Sequence, residues 1–253
     1  MKVTPDSRIS VVAGEPLKLD STTVAASASF VLKLGDPVDV VAVNGTVTVP
    51  AIEAPDNATV KWFAEGATEP FATTYAEIVD SYYFPLSALA GYGDGRDGFD
   101  ELDEETLFAA RQAATEVFER NAHRSFVHRL GRTKDYGRGW FLQLVDNDVY
   151  ELVTEGYFLV SGSSVRRGRD AVAFPLWVDY KYGCDAIPAE VSRAVLELAA
   201  YMLRPTNRPV GATGESTDAG YIHFTTAGRD GATDIPEVNA AIEQFGAGVT
   251  YLW

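Results

Sequence analysis

The 253-residue chain carries a single cysteine, Cys184. One thiol cannot close an intrachain disulfide or build a multi-thiolate metal site, and it fits synthesis in a reducing cytoplasm. Cys184 reads as a small residue in a turn. Histidine is almost as scarce. His123, His128 and His223 are scattered, and a spacing of five does not set the first two on one helix face. No HExxH occurs, so zinc is not expected. Phosphate-binding loops of the G-x-x-x-x-G-K-[ST] and G-x-G-x-x-G kinds are missing as well. The nearest stretch, Gly91-Tyr92-Gly93-Asp94-Gly95, precedes an acidic helix start that repels phosphate. Ser161-Gly162-Ser163-Ser164 does not match the nucleophile elbow G-x-S-x-G. The Asp/Gly-rich run 90–100 lacks the closing Glu of a calcium loop. No catalytic, cofactor-binding or metal-binding residue is therefore assigned, and the chain is not expected to be an enzyme.

Positive charge is in short supply. Lys and Arg number 21 against 36 Asp and Glu, a net charge of −15. A chain this acidic is not built to wrap nucleic acid by phosphate neutralisation. The same balance suits a wall past which DNA slides without sticking, although solubility is its ordinary explanation. No run of 18 apolar residues is present, so no membrane span is expected. Met1-Lys2-Val3-Thr4-Pro5 lacks the apolar centre of a signal peptide.

What is present divides the chain. Residues 1–86 read as β: runs at 28–34, 38–43, 46–49, 59–63 and 73–79 are rich in β-branched and aromatic residues. Asn44-Gly45 between two Val-rich runs signals a two-residue hairpin. Short strands at this spacing predict a small sandwich, immunoglobulin-like in architecture only. Residues 87–99 are a Gly/Asp linker. A helix is expected over 100–123, with an acidic first turn and a buried stripe of Leu107, Ala110, Ala114, Val117 and Phe118. A basic loop follows (Arg129, Arg132, Lys134, Arg138), then strands over 140–145, 148–153 and 156–161. A loop with Arg166, Arg167 and Arg169 at its tip leads to a strand over 171–181.

A second helix over 188–203 places Val191, Ala194, Val195, Leu198, Ala199 and Met202 on one side, with Leu196 and Leu203 off it. A helix apolar beyond one stripe needs cover on more than one side, and a neighbouring subunit is one source. Residues 205–253 read as an extended arm with a short helix from Pro236. The fold class is α+β: an N-terminal β-sandwich (1–86), a linker (87–99), a mostly helical domain with a small β-sheet insertion (100–204), and the arm (205–253). Two functional candidates emerge. Leu196, Leu203, Tyr221, Phe224, Phe245, Tyr251, Leu252 and Trp253 are apolar groups that need a partner. Arg129, Arg132, Lys134, Arg138, Arg166, Arg167 and Arg169 are basic groups that could face DNA or an acidic partner.

The order of elements over 100–246 resembles the head-to-tail connector (adaptor, or head-completion) family of long-tailed bacteriophages. The residues that carry it are the acidic helix start and the Arg124-Ser125-Phe126 end, Val178-Asp179-Tyr180-Lys181-Tyr182-Gly183, and Ile187-Pro188-Ala189-Glu190-Val191 opening an Ala/Leu-rich helix. A Gly-rich arm and a small terminal helix complete the set. Residues 1–86 are extra to the minimal pattern. The resemblance implies a structural virion protein at the head–tail junction, made in the host cytoplasm and without catalytic residues or cofactor. It implies a homo-oligomeric ring, usually of twelve subunits, between the portal protein and a stopper or tail-terminator protein. Double-stranded DNA would pass through its lumen without sequence-specific binding, and no membrane is involved. The alternative is a host-surface or carbohydrate-binding β-domain on a structural stalk, with Trp62, Phe63, Tyr82 and Tyr83 as its aromatic platform.

Overall fold

The computed structural model describes residues 2–3, 8–14, 17–21, 25, 27–43, 45–49, 51–93, 98–168, 175–204, 214–217, 220–223 and 232–247. Its strands are β1 (Lys2–Val3), β2 (Arg8–Val12), β3 (Leu17–Ser21), β4 (Ser27–Leu32), β5 (Val38–Val41), β6 (Thr46–Val49), β7 (Asp56–Phe63) and β8 (Ala72–Val79). Helices α1 (Leu86–Ala90) and α2 (Glu104–Ala122) follow, then β9 (Arg129–Asp135), β10 (Phe141–Gln143), β11 (Val149–Leu152), β12 (Tyr157–Ser161), β13 (Ser164–Arg167) and β14 (Leu176–Tyr182). The chain continues through α3 (Ala189–Leu203), β15 (Gly214–Thr217), β16 (Gly220–His223) and α4 (Pro236–Phe245). The fold is α+β. It divides into two compact units, residues 1–82 with 125–186, and residues 83–124 with 187–253.

In the first unit a five-stranded sheet runs β2-β8-β7-β4-β5, antiparallel except for the parallel β2–β8 pair. A three-stranded sheet runs β1-β3-β6. The period-2 alternation of β7 sends Ala58, Val60 and Trp62 inward. They share one core with Phe30, Ile78 and, from β6, Val47 and Val49. The hairpin at 43–46 is present: Val43 and Thr46 exchange both backbone hydrogen bonds, and Gly45 supplies a φ of 81°. Asn44 lies outside the described residues. Trp62 is buried, and its Nε1–H donates to Thr74 Oγ1 at 3.0 Å. The proposed sugar platform is therefore corrected. Trp62 is core, Tyr83 is buried, and Phe63 and Tyr82 are half-buried.

The same unit contains two smaller sheets, β11-β14-β9 and β10-β13-β12. Leu144, Val149, Tyr157, Val165, Val178 and Tyr180 form their common core. Two stretches read as basic loops are strands here, β9 and β13. Gly131 explains how β9 fits. A Cβ there would meet the Tyr180 ring at 2.5 Å and Asp146 Oδ2 at 2.7 Å, so only hydrogen leaves room for the buried tyrosine. Gly183 ends β14 at a φ of 121°, where a side chain would press on the Val127 carbonyl.

Among the described residues the second unit's regular elements are helices and the β15–β16 hairpin. Asp103 caps α2 by accepting from the Thr106 N–H at 2.7 Å, and Glu104 and Glu105 fill its first turn. His123, left-handed at a φ of 53°, ends it. The buried stripe holds Leu107, Ala110, Ala114 and Phe118 as the 3.6-residue period requires. In α3, Val191, Ala194, Val195, Leu198, Ala199 and Ala200 are buried. Met202 is exposed instead, and Ala200 is buried beside the other five expected positions. Cover on several sides comes from α1, α2 and α4 of the same chain. Most of the apolar surface of α3 is thus covered within the chain, with Tyr201 and Met202 left exposed. Fully burying a Val or Leu contributes about 1.5–3 kcal/mol, before entropy.

Candidate assembly surface

Strand β9, Arg-Leu-Gly-Arg-Thr-Lys-Asp, is an unusually polar sequence for a strand, and pairing explains why it folds. Its buried side carries Arg129, Thr133 and Asp135, each with a partner. Arg129 forms a short, buried ion pair with Glu77 of β8, and its Nε–H donates to Ser125 Oγ at 3.1 Å. Thr133 Oγ1 and Tyr180 Oη lie 2.9 Å apart, and Tyr180 donates to Asp146 Oδ2 at 2.8 Å. Asp135 accepts from Arg167 at 2.7 Å and from Tyr157 Oη at 2.8 Å. Burial alone would raise the Asp135 carboxyl, but the hydrogen bonds from Arg167, the Gly137 N–H and Tyr157 outweigh it and hold Asp135 below its ordinary value. Asp146 goes the other way. Burial raises it, with Tyr180 opposing and the Glu77 charge adding to the rise. Burial also drives the Tyr180 hydroxyl well above its ordinary range.

The outward side of the β9–β14 pair is cationic and aromatic. The register sets Lys134 beside Trp177 and Arg132 beside Asp179. Arg132 Nε–H donates to Asp179 Oδ1 at 2.6 Å, and Lys33 Nζ lies 3.3 Å from Oδ2. The Arg132 guanidinium sits 5.1 Å from the Trp177 ring centre. Lys134 Nζ lies 5.5 Å from the same ring and 5.2 Å from that of Tyr136. Such stacking holds long cationic side chains in place at a rotamer cost already met. Trp177 is 46% exposed and Tyr136 63%.

The other small sheet adds a row across three strands. Phe141, Arg166 and Phe158 are register partners, with Arg166 Cζ 5.5 Å from the Phe158 ring. Phe141 is 62% exposed and Phe158 54%. Leu159 and Val160 are exposed too, next to a register shift in β12. Three consecutive exposed apolar residues on one strand, with Trp140 and Phe141 also exposed, are more than scattered surface residues.

The basic candidates thus separate. Arg129 and Arg167 are internal ion-pair partners, not outward-facing groups: each satisfies a buried carboxylate. Arg132, Lys134, Arg138 and Arg166 remain on or near the surface, and Arg169 lies outside the described residues. Leu196, Leu203 and Phe245 are half-buried within the second unit. The backbone of Tyr221 belongs to β16, which pairs with β15. Phe224, Tyr251, Leu252 and Trp253 lie outside the described residues. Sequence reasoning missed Trp177, Tyr136, Trp140, Phe141 and Phe158. A signal existed: Phe158-Leu159-Val160 are consecutive apolar residues in β12, and neighbours in a strand face opposite sides of the sheet.

Among the described residues no cluster of three or more His, Cys, Asp or Glu is placed to hold a metal ion. Among them, too, no helix is long and apolar enough to cross a membrane. No protein-family model matches the chain, and no curated protein matches it. Some solved structures are similar in part. One is a chain from the neck of an empty gene transfer agent particle computed with sixfold symmetry, at 19% identity and a TM-score of 0.40, covering 51% of this chain and 82% of that one. Another is a chain from the virion of a native gene transfer agent particle, at 19% identity and a TM-score of 0.39, covering 65% and 90%. At these scores nothing about this chain's role follows from the likeness.

Proposed function

We propose that the chain is the repeating subunit of a ring-shaped head-to-tail connector in a phage-like particle. The ring, usually of twelve copies in the family it resembles, would sit beneath the portal protein and receive a stopper or tail-terminator protein on its other face. Double-stranded DNA would pass through its lumen, past walls of net negative charge. The observation that carries this reading is the exposed aromatic and apolar surface of the β9–β14 insertion, set in sequence between the capped helix α2 and the Pro-started helix α3. A surface of that composition is covered by protein in a working assembly. Residues 1–86 would form an outward, collar-like domain, and residues from 205 an arm on the portal or a neighbouring subunit.

The test is native mass spectrometry of the chain with the portal protein of the same particle. The reading expects a ring stoichiometry bound to portal; a chain that stays monomeric and ignores portal refutes it. A second reading, sugar binding, moves to different residues. Trp140, Trp177 and Tyr136 are exposed rings on the insertion, whereas Trp62 and Tyr83 are buried. A glycan array probed with the whole chain separates the two readings.

A further inference from the structure

Charge is distributed unevenly along this chain. Residues 125–186 hold eight Lys and Arg against eight Asp and Glu, whereas the remainder holds thirteen against twenty-eight. The insertion is thus an electroneutral island on an acidic protein, and its β9–β14 face sets Arg132 and Lys134 against the Trp177 and Tyr136 rings, with Arg132 and Lys33 both paired to Asp179. Elsewhere the chain exposes the opposite kind of surface. Asp100, Glu101, Asp103, Glu104 and Glu105 at the start of α2 are all exposed, and Leu102 stands exposed among them.

We infer that the Trp177 face of one copy receives the acidic turn 100–105 of the next copy. The inference rests on the ring reading above and names its subunit contact. The chemistry matches on both counts. A carboxylate meets Lys134, which the rings of Trp177 and Tyr136 already hold in place, and Leu102 meets the apolar edge of those rings. Two different patches on each copy make the contact head-to-tail, the type that closes into rings. A duplex DNA is the weaker occupant. Neutralising a phosphate backbone takes a row of free cations, and here Arg132 and Lys33 are both paired with Asp179. One six-residue turn buries far less than the ~1,600 Å² of a stable pairwise interface, so a single contact is weak and closure of the ring supplies the rest.

The experiment uses the full chain and two variants. The face variant is Lys134→Glu with Trp177→Ala. The turn variant is Glu101→Lys with Glu105→Lys, which leaves the Asp103 cap in place. Circular dichroism first confirms that both fold as the parent does. Sedimentation equilibrium at low salt, up to millimolar concentration, then reads association. The parent associates, and the association weakens at least tenfold in half-molar salt. Each variant alone is monomeric. Mixed, the two form a heterodimer and nothing larger, because one intact face meets one intact turn and both other patches are broken. Either variant associating like the parent overturns the inference, as does a mixture that stays monomeric, a parent that stays monomeric at millimolar concentration, or a face that binds duplex DNA in place of a second copy. Rings on portal formed equally by parent and variants would overturn this contact and leave the ring reading standing.

Discussion

Replacing Arg129 by Met isolates the interaction that lets a polar strand sit inside the first unit. Arg129 and Glu77 are both buried and form one close ion pair, with Ser125 Oγ accepting a further bond from the guanidinium. Asp146 lies near enough for the Arg129 charge to lower its carboxyl and the Glu77 charge to raise it. Met at 129 leaves two carboxyl groups facing each other without that cation. Removing one partner of a buried pair costs about 3–5 kcal/mol. Glu77→Gln keeps a hydrogen-bond acceptor for Arg129 and costs less, about 1–3 kcal/mol. The double variant Arg129→Met/Glu77→Leu removes both charges together and recovers most of the loss, since an apolar pair of similar volume is often no worse than a buried ion pair. Urea unfolding followed by tryptophan emission reads this directly. In a Trp253→Phe background the three remaining tryptophans, Trp62, Trp140 and Trp177, all belong to the first unit. The Arg129→Met variant should lose roughly 10 °C in melting temperature. A loss under about 1 kcal/mol for Arg129→Met, or a double variant as unstable as the two losses added, would refute the reasoning.

Three further outcomes follow from the same unit. Gly131→Ala forces a methyl to 2.5 Å from the Tyr180 ring and should cost about 1–3 kcal/mol by overpacking, read as a fall in melting temperature. Asp146 has a raised carboxyl in the folded chain, so the fold holds that proton to higher pH than the unfolded chain does. Its contribution is present below the ordinary value of 3.8 and is lost as pH rises through the raised value; Asp146→Asn should flatten the melting temperature across that window. Phe158→Ser, at an exposed site, should change stability by no more than about 0.5 kcal/mol, read as a nearly unchanged melting temperature.

Much of the architecture was legible because it rests on local patterns. The apolar alternation of β7, the acidic first turn of α2 and the Pro236 start of α4 each leave a signal a few residues long. What was illegible depends on contacts far apart in sequence. Strand β9 looks like a basic loop because its buried polar groups are satisfied by Glu77, some fifty residues earlier, and by Tyr157, Arg167 and Tyr180 later. The same distance hid the fate of Arg129 and Arg167, which sequence placed outside. Helix α3 taught the opposite lesson. Its broad apolar surface suggested another subunit, yet α1, α2 and α4 cover most of it. The larger exposed apolar surface lies on the strands that precede Tyr182, where Trp177 itself is exposed.

The central claim is that this chain builds a ring on a portal. Native mass spectrometry of the chain mixed with the portal protein of the same particle tests it most directly. The account predicts a single closed stoichiometry of the chain bound to portal, lost when Lys134 and Trp177 are replaced together. A chain that remains monomeric and unbound at every portal ratio would contradict it.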